Sequence, residues 1–201
     1  WNPVTRESEL LFTWKGSRSH RLDLSTEGHR LVTGGFGGEA TVYDVEKGEI
    51  VATLGGQESK ITGLAISGNG LRVATAQSSN ILRVWDVAEG VLILETDLVG
   101  GNILKLALNR EGTRLALLRR RQQGVLLLKG IDAVLWDVNA GTSLPLALPE
   151  AWTFSKSTIG TLGYDRTGDS LAFGGSRLAL FDRATGDRRS GLDLDGASVQ
   201  I

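Results

Sequence analysis

Few residues of this chain have the types and spacing that chemistry needs. Arg119, Arg120 and Arg121 stand in a row, and Trp152, Phe154 and Lys156 alternate further along. Planar guanidinium groups pair with carboxylates and stack on rings, so an arginine-plus-aromatic set suits recognition of a protein surface. Acid–base and nucleophilic chemistry are poorly served. His20 and His29 lie nine apart with no nucleophile spaced to use either, and the absence of cysteine removes disulfides, thiolate zinc sites and thiol nucleophiles. His29, beside Arg30 in a turn, reads as a surface histidine. LDLDG at 192–196 alternates carboxylates but lacks the third acidic position and the distal Glu of a calcium loop. GGFGGE at 34–39 has the glycines of a phosphate loop without its Lys-Ser/Thr pair or following helix, so it reads as a hairpin turn.

The elements that must position these residues are strands. The 201 residues include 27 glycines, about twice average usage, and only three prolines, a composition that fits turn-rich β structure. With 22 basic against 23 acidic residues the net charge is -1, so no overall field draws in nucleic acid or anionic lipid. No apolar run approaches the ~20 residues of a membrane-spanning helix. The N-terminus has no signal-peptide layout, which leaves the compartment open with the cytoplasm preferred. There is no methionine, even at position 1. The expectation is therefore an excerpt of a longer chain.

Internal repeats organise the sequence. An aromatic followed by Asn or Asp recurs at Trp1-Asn2, Tyr43-Asp44, Trp85-Asp86, Trp136-Asp137 and Phe181-Asp182, at spacings of 42, 42, 51 and 45. A second ladder, of turn glycines, runs Gly28, Gly70, Gly112, Gly168, and its first two steps are also 42. In the unit at 60–101, apolar alternation bounded by glycine turns marks strands at about 61–67, 71–75, 81–87 and 91–96. SGNG and AEG supply the hairpin turns. Leu64, Ile66, Val73, Leu82 and Val84 are the expected core between units.

Four-stranded antiparallel units of this length, with Trp-Asp closing the third strand, resemble the WD-repeat family of β-propellers. LRVWDVAEG and AVLWDVNAG are the closest matches. The resemblance implies an all-β propeller domain over 1–201: a blade end at 1–15, blades at about 19–56, 60–101, 102–151 and 158–195, and the start of another at 196–201. Four whole blades with partial blades at both ends imply an open arc. The family's opening Gly-His pair is missing, and no Asp follows Thr33 or Thr75 in the next turn. The buried Trp, Ser/Thr, Asp, His network is therefore expected to be incomplete.

Two spacings break the period. Gly112 to Asp137 is nine residues longer than Gly70 to Asp86, and Asp137 to Gly168 is five longer than Asp86 to Gly112. The first gain falls between second and third strands, in 117–132, and carries the three arginines. The second falls in 149–157 and carries Trp152, Phe154 and Lys156. In a propeller both kinds of loop emerge on one face, where binding residues tend to sit. Two readings stand: these six residues bind a protein partner, or the arginines solvate an extended hairpin while 125–128 continue its strands and Trp152 caps the blade. The leading expectation for function is a non-catalytic protein-interaction scaffold without cofactor, metal, nucleic acid or membrane span. The alternatives are an enzyme propeller, such as a quinoprotein-like dehydrogenase or a hydrolase, and the sensor arm of a kinase or nucleotide hydrolase. First strands offer the enzyme reading little beyond Asp23, Lys105 and Asp165.

Overall fold

The computed structural model describes residues 19–55, 59–98, 102–120, 131–146, 161–174, 177–182, 185–193 and 198–200. Every regular element among them is a strand. Blade one is β1 Ser19–Leu24, β2 Arg30–Gly35, β3 Ala40–Asp44 and β4 Ile50–Leu54. Blade two is β5 Ile61–Ile66, β6 Arg72–Gln77, β7 Ile81–Asp86 and β8 Leu92–Asp97. Blade three is β9 Ile103–Leu108, β10 Arg114–Arg120, β11 Ile131–Asp137 and β12 Thr142–Leu146. Blade four is β13 Thr161–Tyr164, β14 Ser170–Gly174, β15 Arg177–Asp182 and β16 Arg188–Asp193, followed by β17 Ser198–Gln200. Each blade is an antiparallel meander, and the blades stack in chain order as an open arc.

Side chains alternate across a strand, so each sheet sends one set back to the preceding blade and the other forward. In β6, Val73 joins Val32, Val42, Leu54 and Ile61 between blades one and two. Its neighbours Ala74 and Ala76 join Leu106, Leu115 and Leu117 between blades two and three. Phe173, Phe181 and Leu171 meet Leu118 and Leu135 at the third junction. Burying a Leu or Phe is worth roughly 1.5–3 kcal/mol relative to exposure, so these interfaces carry most of the stability. Of the expected core, Ile66, Val73, Leu82 and Val84 are buried, and Leu64 packs half-buried against the first cluster.

The two sequence ladders are two kinds of turn. Ser67 accepts the Gly70 N–H at its carbonyl and the Arg72 N–H at its Oγ, both 2.9 Å. Ser25 repeats this with Gly28 and Arg30, and Asn109 with Gly112 and Arg114. Gly70 and Gly112 have φ of 72° and 71°, a backbone region that glycine enters at no steric cost. A Cβ on Gly70 would lie 2.6 Å from Arg30 Cγ, and one on Gly112 2.4 Å from Arg72 Cγ. Each of these glycines thus rests on the arginine of the blade before it.

The Asp that ends each third strand works twice. Its Oδ1 accepts amide N–H groups of the following turn: Glu46 and Lys47 on Asp44, Ala88 and Glu89 on Asp86, Asn139 and Ala140 on Asp137, Thr185 on Asp182. Its Oδ2 faces an arginine: Arg30 at 2.6 Å from Asp44, Arg72 at 3.6 Å from Asp86, and Arg114 on Asp137. In blade four Ser170 holds the arginine's place, and Arg189 of β16 reaches back to Asp182 while also bonding Ser170 Oγ at 3.2 Å.

The aromatic is less uniform. Trp85 Nε1 donates to Thr75 Oγ1 at 3.2 Å, the one Trp-to-hydroxyl bond among the described residues. In blade three Leu117 holds the position of Thr75, and Trp136 Nε1 is buried without an acceptor among the described residues. Residues 196–201 were expected to begin another blade. Ser198–Gln200 instead runs antiparallel along the outer edge of β16, pairing Gly191 with Gln200, Leu192 with Val199 and Asp193 with Ser198. The unpaired N–H and C=O groups of that edge are a ready template for an added strand.

Candidate functional site

In a meander the β2–β3, β6–β7, β10–β11 and inter-blade connections leave at one end of the sheets, and the glycine turns at the other. Residues 78–80 suffice to join β6 to β7, with Asn80 at φ 67° and its carbonyl accepting the Leu98 N–H. Ten residues, 121–130, separate β10 from β11, and fourteen, 147–160, separate β12 from β13. Part of the first gain is strand: β10 and β11 have seven residues each where β6 and β7 have six.

This corrects the placement of the arginines. Arg119 and Arg120 are strand residues, paired in register with Asp132 and Ile131. Arg119 Nε lies 3.5 Å from Asp132 Oδ2, with both side chains largely covered, and the Arg120 amide donates to the Asn102 carbonyl at 2.9 Å. Extending the hairpin gives each added residue a cross-strand partner, which a loop would not. Arg121, Trp152, Phe154, Lys156 and the run 125–128 lie outside the described residues.

On the same face Phe36, half-exposed in the connection between β2 and β3, lies under the Lys60 ammonium, 4.5 Å from the ring centroid. Such a pair is worth about 0.5–1 kcal/mol at an exposed site.

The inner strands β1, β5, β9 and β13 line a groove of about 330 Å³. Arg21, Asp23, Thr62, Lys105 and Asp165 are among the polar residues that line it. Asp23 Oδ2 accepts the Ile66 N–H at 2.9 Å, joining blade one to blade two, and burial pushes its carboxyl above the usual range. Burial also acts on Asp165, but hydrogen bonds from Ser170, Thr167 and Asp169 outweigh it and hold that carboxyl below the usual range. Both carboxylates are thus occupied, one as an inter-blade acceptor and one as a turn cap. Among the described residues no group of three or more His, Asp or Glu is placed to hold a metal ion.

Comparison with known proteins agrees with this geometry. Residues 48–86, from the end of blade one through Trp85-Asp86, match the family model "WD domain, G-beta repeat". A solved structure of the Cps50 (Swd1) β-propeller domain from Myceliophteria thermophila superposes with a TM-score of 0.67, covering 94% of this chain and 59% of that one at 19% identity. The fold is a WD-repeat β-propeller. Two Arabidopsis thaliana proteins also match: Cell division cycle 20.1, named as a cofactor of the APC complex, is 35% identical over 78 residues, and Autophagy-related protein 16 is 29% identical over 77. Each match covers 38% of this chain, but only 17% and 14% of those proteins' lengths.

Within the WD-repeat propeller, His29 is exposed, with Nδ1 3.6 Å from Glu46 Oε1. Sequence reasoning missed the arginine ladder, although Arg30, Arg72 and Arg114 each stand two residues after a turn glycine and share the period of 42. It also missed Phe36–Lys60, because the two residues come from connections that only the stacking of blades brings together. No helix among the described residues is long and apolar enough to cross a membrane.

Proposed function

We propose that this WD-repeat propeller is a non-catalytic protein-interaction scaffold, part of a longer propeller protein, and that it meets its partner on the face of the long blade-three connections. The observation that carries the reading is the ten-residue interval between β10 and β11, where β6 and β7 need three. Arg120 and Arg121 lead into it, and Trp152, Phe154 and Lys156 lie in the interval between β12 and β13. Arg119, tied to Asp132, acts as the brace of the hairpin rather than as a contact. Arginine and aromatic residues dominate interface energetics, and Phe36 with Lys60 offers the same chemistry on the same face. The relative named as a cofactor of the APC complex supports an assembly role. The test is affinity purification of partners with the protein and with a variant carrying Arg120→Ala, Arg121→Ala, Trp152→Ala and Phe154→Ala. The expected result is selective loss of partners with blade packing intact by circular dichroism; undiminished recovery overturns the proposal.

A further inference from the structure

The outer edges of the four blades differ in how they are defended against strand addition, and the difference concentrates at one register position. Three residues before the third-strand Asp stand Thr41, Arg83, Val134 and Ala179, and their partners on the outer strands are Thr53, Glu95, Pro145 and Gly191. Charge and proline are the ordinary means of blunting an exposed edge. Glu95 and Asp97 supply charge to β8, and Pro145 removes a donor from β12. Gly191 is already covered, because β17 pairs with it. Among the described residues Thr53 has none of these protections, and β4 reads IVATL, uncharged and rich in β-branched residues, with Ile50 61% and Val51 41% exposed.

An irregularity at the start of β4 does not close the edge. Val51 is an extra residue between the pairs Val42–Ala52 and Tyr43–Ile50. β16 has the same extra residue at Arg189, yet it accepts β17 just beyond, at Gly191, Leu192 and Asp193. The equivalent residues after β4's irregularity are Thr53, Leu54 and Gly55. The turn before β4 holds Glu46 and Glu49 against a single Lys47, so an antiparallel newcomer would bring its C-terminal end beside negative charge.

We propose that the outer edge of β4 is a strand-acceptor site: an uncharged, β-branched segment of a partner protein adds antiparallel beside residues 50–55, with basic residues just after its last strand residue facing Glu46 and Glu49. This surface is separate from the loop face, and its partner need not be the same.

The probe is a synthetic peptide of alternating valine and threonine ending in two lysines, with a counterpart ending in two glutamates. Amide hydrogen exchange of the protein is followed residue by residue. The lysine-ended peptide is expected to slow exchange at 51–55 by about tenfold or more, with the amides of β8 and β12 unaffected. Thr53→Lys, at an exposed position, abolishes the effect without changing the rest of the exchange pattern. Glu46→Lys combined with Glu49→Lys transfers the preference to the glutamate-ended peptide. Equal protection at all outer strands, or none at 51–55, overturns the proposal. So does a concentration-dependent dimer of the protein that Thr53→Lys dissolves, because the edge then belongs to a second copy.

Discussion

Blades two and three carry the same dipeptide, Trp85-Asp86 and Trp136-Asp137, in different surroundings. In blade two the indole N–H meets the Thr75 hydroxyl, while Arg72 stands off Asp86 at 3.6 Å. In blade three Leu117 takes the place of that threonine, and Arg114 pairs with Asp137. The aspartate's work is the same in both, capping a turn and holding an arginine; the tryptophan's polar bond is made in only one of them. Blades one and four take this further, with Tyr43 and Phe181 in the tryptophan's place. What the repeat requires is an aromatic body and a carboxylate.

The junction between the two blades is where the largest effect is expected. Gly112→Ala forces a Cβ onto Arg72 in a left-handed backbone, at an expected cost of about 2–4 kcal/mol in urea unfolding. Gly90→Ala, with similar φ but open space around its Cβ, is expected to cost only about 1–2 kcal/mol. Equal losses would mean that interlocking with Arg72 adds nothing.

The indoles give the next test. Thr75→Val leaves a buried Trp85 N–H unpaired, at a cost of about 1–3 kcal/mol. In blade three the order inverts: Leu117→Thr, which offers Trp136 an acceptor, is expected to destabilise less than Leu117→Val in the same unfolding assay. If threonine is the worse of the two, the vacancy at Trp136 is not one that a hydroxyl fills.

Acid provides the smallest effect. The Ala140 N–H, followed by Arg114, holds the Asp137 carboxyl below the usual range despite opposing burial. Its folded value is lower than its unfolded one, so its stabilisation is present above the unfolded value and is lost as pH falls through the folded one. Asp137→Asn should therefore flatten the acid limb of the stability curve. Asp23 has the opposite sign: raised chiefly by burial, its contribution is complete below the unfolded value and is lost as pH rises through the folded one. Asp23→Asn, which keeps an acceptor for the Ile66 N–H, should gain stability relative to the parent as pH rises through and above the usual carboxylate range.

The fold was legible because its landmarks are backbone demands. Gly70 and Gly112 mark positive φ, and Asp86 and Asp137 mark turns whose amides need an acceptor; both demands recur wherever the blade recurs. The blade-three gain was legible as a count but not as a shape. Spacing places nine extra residues between Gly112 and Asp137 but does not say that β10 would run on through Arg120, which depends on the facing residues Ile131 and Asp132. Arg189 could not be found by period at all, since it serves Asp182 from a different strand than Arg30, Arg72 and Arg114 serve theirs. The strand β17 was hidden for a similar reason: a strand-forming stretch reads the same whether it opens a new sheet or finishes an old one.

The turns at the inner rim carry one contact that passes over a blade. Glu27 donates its amide to Gly68 and Asn69 donates to Arg110, each linking neighbours, but the Arg110 guanidinium also pairs with the Glu27 carboxylate, joining blades one and three. Both side chains are partly exposed, and such pairs contribute little to stability. Their geometry matters more. A tie between first and third members of a stack is a chord, and a chord limits how far an arc can spread. Stacked repeats ordinarily sense only their nearest neighbours; among the described residues this tie reaches across three, gathering the turn end of the sheets like the rivet of a hand fan.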